Sequence, residues 1–405
     1  MAVHQPAPSA IGPRTIRRTR RRAALLLAAA SIAVVACTPD ERSGIVRTTA
    51  VPTSDTPTSD TPTSDTPTSD TPTSDTPTSD TPTSDTPTSD TPTSDTPTSD
   101  TPTSEVPATV VGPAGTYDVV RVIGQLVDPA RDGRVISYQV YAPADVADLA
   151  PVIVVSHGGA GNPRGHLAGE HLGTTFASGG FVAVHLAHDR SVAGSRQLDD
   201  RPADVAFFLD ELAAGRVELP VGFHGSADLG RVGHTGHSYG AYTAHAVGGA
   251  TYARTYTDPR IDAIAPISPQ GPDQFGAFLR GPDDTTWSTV TIPVFDLIGG
   301  DEIDSNAVDS VERPGWRLAP FDHYPGTSDT FRTIVAGADH SDMWRTGADD
   351  VQAFVAVEIL DFMRVYVAGD AEVDPCGIGV GELVTTSATI ERHPAAVGTL
   401  IGSCG

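Results

Sequence analysis

From Pro52 to Ser104 the chain repeats the pentapeptide PTSDT, with an aspartate at every fifth position from Asp55 to Asp100. Such a segment has no apolar surface beyond threonine methyls and proline rings. Nothing in it offsets the entropy of ordering, and like charges at regular intervals extend it further. It is therefore expected to be a semi-stiff disordered tether whose composition also permits O-glycosylation. The repeat confines any hydrophobic core to residues 115–405, about 290 residues, a size one α/β domain can fill.

Residues 1–36 read as an export signal. Arg14, Arg17, Arg18, Arg20, Arg21 and Arg22 form a positive region, and the apolar stretch Ala23–Val35 is too short to span a bilayer. Val34-Val35-Ala36-Cys37 resembles a bacterial lipobox. That implies cleavage before Cys37, lipidation of its thiol, and residues 37–51 as a short tether to the outer face of a membrane. The formal net charge of −25 argues against nucleic acid as a partner, since phosphate neutralisation needs clustered cations. All 26 basic residues are arginine. The absence of lysine excludes Schiff-base chemistry, a pyridoxal-phosphate anchor and a phosphate-loop lysine, each of which needs an ε-amine.

Within 115–405, strand and helix patterns alternate. Tyr117–Gln125 and Arg134–Tyr141, joined through Asp132-Gly133, read as an antiparallel entry hairpin. Pro151–Ser156, Phe181–Leu186, Val232–Thr235, Ile261–Ile267, Ile292–Ile298 and Phe331–Val335 are short β-branched runs bounded by Gly, Pro or Asp, as buried parallel strands are. Pro202–Leu212 sets Val205, Phe208, Leu209 and Leu212 on one helical face, and Val351–Val367 is a second long amphipathic candidate. The expected class is α/β: a mostly parallel sheet with helices on both faces, an antiparallel entry hairpin, and a site at the carboxyl ends of the strands.

Gly236-His237-Ser238-Tyr239-Gly240 matches G-x-S-x-G between the strand ending at Thr235 and the helical Ala241–Val247. Glycines there permit a sharp turn that lifts a serine hydroxyl above the sheet, which makes Ser238 the candidate nucleophile. An acid and then a histidine are expected downstream. Asp301 lies after Ile292–Ile298 and is the expected acid, with Asp304 as competitor; Asp296 falls inside the strand, and Glu302 is expected to face solvent. His340 follows Phe331–Val335 and is the expected base. Two backbone N–H groups are needed for an oxyanion. Tyr239 supplies one, and Ser156-His157-Gly158-Gly159-Ala160-Gly161 the other, assigned to Gly159 with Ala160 as alternative. His234, His237, His245 and His323 are read as packing residues; His185 and His188, three apart near Asp189, lack a zinc-like spacing and are read as structural. No metal or cofactor is needed for this chemistry.

The series SHGGAG, RPADVAFFLDEL, GHTGHSYGAYTA, GGDEI and GADHSD resembles the bacterial relatives of platelet-activating factor acetylhydrolase, often labelled predicted dienelactone hydrolases, over nearly all of 115–405. The resemblance implies the α/β-hydrolase fold and a metal-free Ser-Asp-His triad at Ser238, Asp301 and His340, with Gly159 and Tyr239 as oxyanion donors. Ester cleavage by a monomer is the expected activity. True dienelactone hydrolases use a cysteine where this chain has Ser238, so a lactone substrate is not implied. Cutinases and polyester hydrolases are also similar, but follow the serine with methionine where Tyr239 stands. They keep a C-terminal disulfide; Cys376 and Cys404, the cysteines left once Cys37 is set aside, are expected to bridge in an oxidising compartment. Substrates are accordingly small or polymeric esters. No long apolar insertion resembles a lipase lid, although Gly271–Trp287 is placed to cover the site. The rival class is a surface lipoprotein using the same fold only to bind; the intact Ser, Asp and His set argues against it.

Overall fold

A computed structural model describes residues 111–159, 161–189, 196–272, 285–306, 312–344 and 349–404. The export signal, Cys37, the PTSDT repeat, Ala160 and residues 273–284 of the segment expected to cover the site lie outside these. The strands are β1 (Val119–Asp128), β2 (Arg134–Pro143), β3 (Leu149–Ser156), β4 (Val182–Leu186), β5 (Ser226–His237), β6 (Ile261–Ile267), β7 (Val294–Gly299), β8 (Thr330–Val335) and β9 (Ala388–His393). The helices are α1 (Glu170–Ser178), α2 (Arg196–Ala213), α3 (Tyr239–Val247), the single turn α4 (Ala319–Asp322) and α5 (Asp349–Met363), which ends in a π-helical turn over Arg364–Ala368.

The strands form one sheet in the order β1-β2-β4-β3-β5-β6-β7-β8-β9. Neighbours from β4 to β8 run parallel; β1, β2 and β9 close the two edges antiparallel. The chain is thus an α/β protein with a mixed sheet. The central strands read as continuous apolar runs because both faces are covered. Val152 and Val154 of β3 point to the layer holding α2 and α3, whereas Ile153 and Val155 point to the layer holding α1 and α5. β1 alternates buried and open positions, as an edge strand with one solvated face does.

Expected and observed elements differ mainly at their ends. β5 begins six residues earlier than its apolar run, at Ser226, because its polar first half pairs with β3 before the strand enters the core. α1 and β9 were not foreseen: α1 is one short amphipathic turn set, and β9 is a polar edge strand. Among the described residues no helix is long and apolar enough to cross a membrane.

Behind β9 the tail is anchored at Asp329, whose carboxylate accepts from the Ala395 and Leu400 amides, the Thr399 hydroxyl and the Tyr366 hydroxyl. The Cys376–Cys404 disulfide is present and closes a loop with a sequence separation of 28. Loop-closure entropy for that length gives about 3–4 kcal/mol. Reduction is therefore expected to lower the thermal midpoint by several degrees. An unchanged midpoint in reductant would show that the tail contributes nothing to the core.

Candidate active site

β5 ends at His237, α3 begins at Tyr239, and Ser238 alone makes the turn with φ 55° and ψ −114°. A non-glycine residue there is strained, and such strain persists only where the surroundings over-determine it. They do. A Cβ on Gly240 would fall 2.0 Å from Ser156 O, and one on Gly236 2.6 Å from the same oxygen, so glycines let β3, β5 and α3 converge. The Ser238 amide donates to Ile267 O at 2.9 Å, tying the turn to the end of β6.

Ser238 lines a cavity of about 500 Å³ with His157, Gly158, Gly159, Gly161, Asn162, Ala168, His237, His340, Ser341 and Trp344. The Ser238 hydroxyl and His340 line the same cavity without a direct hydrogen bond between them. In unliganded sites a contact between a hydroxyl and a neighbouring base is often loose and tightens only when a ligand arrives.

His340 Nδ1 donates to Glu302 Oε2 at 2.5 Å. This corrects the acid expected from the sequence. β7 ends at Gly299 and a 3₁₀ turn follows at once over Gly300–Glu302. With three residues per turn, residue 302 comes back beneath residue 299. The Glu302 carboxylate indeed accepts from the Gly299 amide at 2.9 Å and is buried, while Asp301 is exposed, its amide held by Ala338 O. Asp304 is also exposed and accepts from the Gly315 amide; Asp296 is buried elsewhere, accepting from Tyr324.

Three further groups hold Glu302. The Ser268 hydroxyl donates to Oε1 at 2.5 Å, and the Arg317 guanidinium lies 3.1 Å from Oε2. Arg317 is fully buried and also donates to Ser268 O and Pro269 O, each at 2.9 Å. Burial alone would raise the Glu302 carboxyl, but the His340 hydrogen bond and the Arg317 charge outweigh it and hold the group down to about 2. Because this lies below the ordinary glutamate value near 4.5, the stabilisation is fully present above that value and is lost as pH falls toward about 2. In urea melts, the wild type is expected to lose stability across this window; Glu302→Gln should be flatter there. Parallel pH curves would show that Glu302 does not titrate as described.

His237 Nε2 donates to the His340 carbonyl at 2.9 Å, and its ring lies between those of His340 and Trp344, with centroids 4.4 and 5.4 Å away. Burial pushes its imidazole well below the ordinary histidine range, so it is neutral. The other histidines have local partners. His185 Nδ1 donates to Ala168 O, His323 Nδ1 to Ala319 O, and His245 Nε2 meets the Tyr324 hydroxyl. His188 Nδ1 donates to Asp204, and its Nε2 and that of His234 both meet the Ser156 hydroxyl. Among the described residues no group of three or more His, Cys, Asp or Glu could hold a metal ion.

Structure thus brings Ser238, His340 and Gly159 around one cavity, with Tyr239 directly after the serine in α3, and leaves Asp301 outside. Glu302, Ser268 and Arg317 were missed because a strand-end carboxylate and a distant arginine become neighbours only through the turn that follows β7. The sole local signal was the Gly299-Gly300 pair, which permits that turn: a Cβ on Gly299 would lie 2.5 Å from Ala338 O. No protein-family model matches this chain, and a search of the curated proteins finds no match for it.

Proposed function

We propose that this protein is an exported serine hydrolase of the α/β-hydrolase fold that cleaves carboxylic esters through an acyl-enzyme. One observation carries the reading: Ser238 sits in the strained strand-to-helix turn and shares its cavity with His340, whose Nδ1 is held by a buried, ionised Glu302.

In this reading His340 Nε2 takes the proton of Ser238 Oγ as the oxygen attacks the ester carbonyl. Glu302 keeps the Nδ1–H tautomer in place and stabilises the imidazolium without taking its proton. The Gly159 and Tyr239 amides receive the oxyanion, His340 returns the proton to the leaving alcohol, and water repeats the sequence on the acyl-enzyme. Among the described residues the cavity is lined by no arginine, aspartate or glutamate, and the chain carries a net charge of −25. Both features favour an uncharged ester over an anionic one. A lipid on Cys37 and the PTSDT tether would hold the enzyme at a membrane surface.

The test is hydrolysis of p-nitrophenyl esters from acetate to palmitate by the wild type beside Ser238→Ala. Turnover by the wild type alone supports the reading, and its chain-length profile defines the acyl preference. Equal inertness of both on every ester overturns it in favour of a binding role.

A further inference from the structure

Arg201, in the second turn of α2, is fully buried. Its Nη1 donates to His157 O at 2.8 Å and its Nη2 to Gly159 O at 2.6 Å, and its guanidinium carbon lies 4.3 Å from the centre of the Tyr239 ring. Asp204, one turn further along α2, is already engaged by Arg131, Arg134 and His188. Burying a guanidinium costs several kcal/mol, and an apolar side chain of similar volume would serve packing alone at lower cost. Retaining the charge against two carbonyls and a ring therefore calls for a role in orienting backbone.

The carbonyl between those two is fixed as well. His188 N donates to His157 Nε2 at 3.0 Å, which leaves the His157 proton on Nδ1, where it is donated to Gly158 O at 2.8 Å. Three successive carbonyls, of His157, Gly158 and Gly159, are thus all tied down. Across a trans peptide the N–H points opposite the preceding C=O, and no cis bond occurs here. Anchoring the carbonyls of His157 and Gly158 consequently sets the directions of the amides of Gly158 and Gly159. The same guanidinium lies over the side chain of Tyr239, whose own amide opens α3.

We propose that Arg201 is the positioning residue of the oxyanion site, holding the His157–Gly159 loop and the first turn of α3 so that amides from both converge on one oxygen. The inference rests on the esterase reading above. It assigns Arg201 no contact with substrate.

Arg201→Met and Arg201→Lys separate this role from packing. Lysine keeps charge and bulk but cannot fork to two carbonyls, and it carries the test if the methionine variant does not fold. In each folded variant kcat on p-nitrophenyl acetate is expected to fall about 100-fold, with KM within about threefold of wild type. Phenylboronic acid supplies a second readout. Ser238 Oγ adds to boron, its proton passing to His340, and a boron-bound oxygen occupies the oxyanion position, so inhibition should weaken by a factor similar to the loss in kcat. Wild-type kcat in a folded variant, a loss no larger than the loss of folded protein measured by thermal unfolding, or a raised KM with kcat intact would each overturn the proposal. An inert wild type would instead remove the esterase reading itself.

Discussion

Ser238→Ala is expected to lower kcat on a p-nitrophenyl ester by about 10⁵-fold or more, which corresponds to about 7 kcal/mol of lost transition-state stabilisation. Without the hydroxyl no acyl-enzyme forms, and only the amides and the cavity remain to favour attack by water. The loss should appear in kcat and not in KM, because the hydroxyl bonds to substrate only as the reaction proceeds. Fold should be nearly unaffected: alanine keeps the Cβ, and with it the strained φ of 55° at this position. Ser238→Gly provides the complementary measurement. Glycine relieves a positive φ that costs on the order of 1–3 kcal/mol, so this variant should be equally inactive yet unfold at a higher temperature. A variant lacking the hydroxyl that still turned over at more than a small fraction of the wild-type rate would mean that Ser238 is not the nucleophile.

The second large effect distinguishes two adjacent carboxylates. Glu302→Gln is expected to lower kcat by about 10⁴-fold, whereas Asp301→Asn should stay within about threefold of wild type. In wild type all four groups facing the Glu302 carboxylate are donors: Ser268 and Gly299 at Oε1, His340 and Arg317 at Oε2. An amide nitrogen in place of either oxygen opposes an obligate donor, the Gly299 amide at Oε1 or His340 and Arg317 at Oε2. If it faces His340, the imidazole turns to the tautomer with its proton on Nε2, which cannot accept from Ser238. Stability should fall too, by about 3 kcal/mol, because Arg317 is left buried without its counter-charge. Asp301 is exposed and makes no such contacts, so its neutral isostere should change neither quantity appreciably. The reverse pattern, an inactive Asp301→Asn beside an active Glu302→Gln, would restore the acid expected from the sequence. Together, the Glu302 and Asp301 variants and the Arg201 variants probe opposite sides of Ser238, one acting through His340 and the other through the His157–Gly159 loop.

The sequence by itself determined whatever depends on local pattern. Short β-branched runs alternating with amphipathic stretches were enough for the α/β class and the parallel centre of the sheet, because burial on both faces leaves a continuous apolar signature. The serine turn was legible for a similar reason: Gly236 and Gly240 stand where a Cβ would strike Ser156, so the constraint lies within five residues. His340 was legible from its place after a strand. Tertiary structure decided the acid. Whether Asp301 or Glu302 meets the imidazole depends on one 3₁₀ turn, and on Ser268 and Arg317, which come from chain segments separated by 34 and about 15 residues and have no common pattern. Arg201 belongs to the same class of feature. On α2 it resembles any helical arginine, and only the packing of α2 against the loop after β3 shows it bonded to the His157 and Gly159 carbonyls. Apolar periodicity reports which face of an element is buried; it carries no information on which buried polar groups meet, since such pairs are made across the fold and leave no trace along the chain.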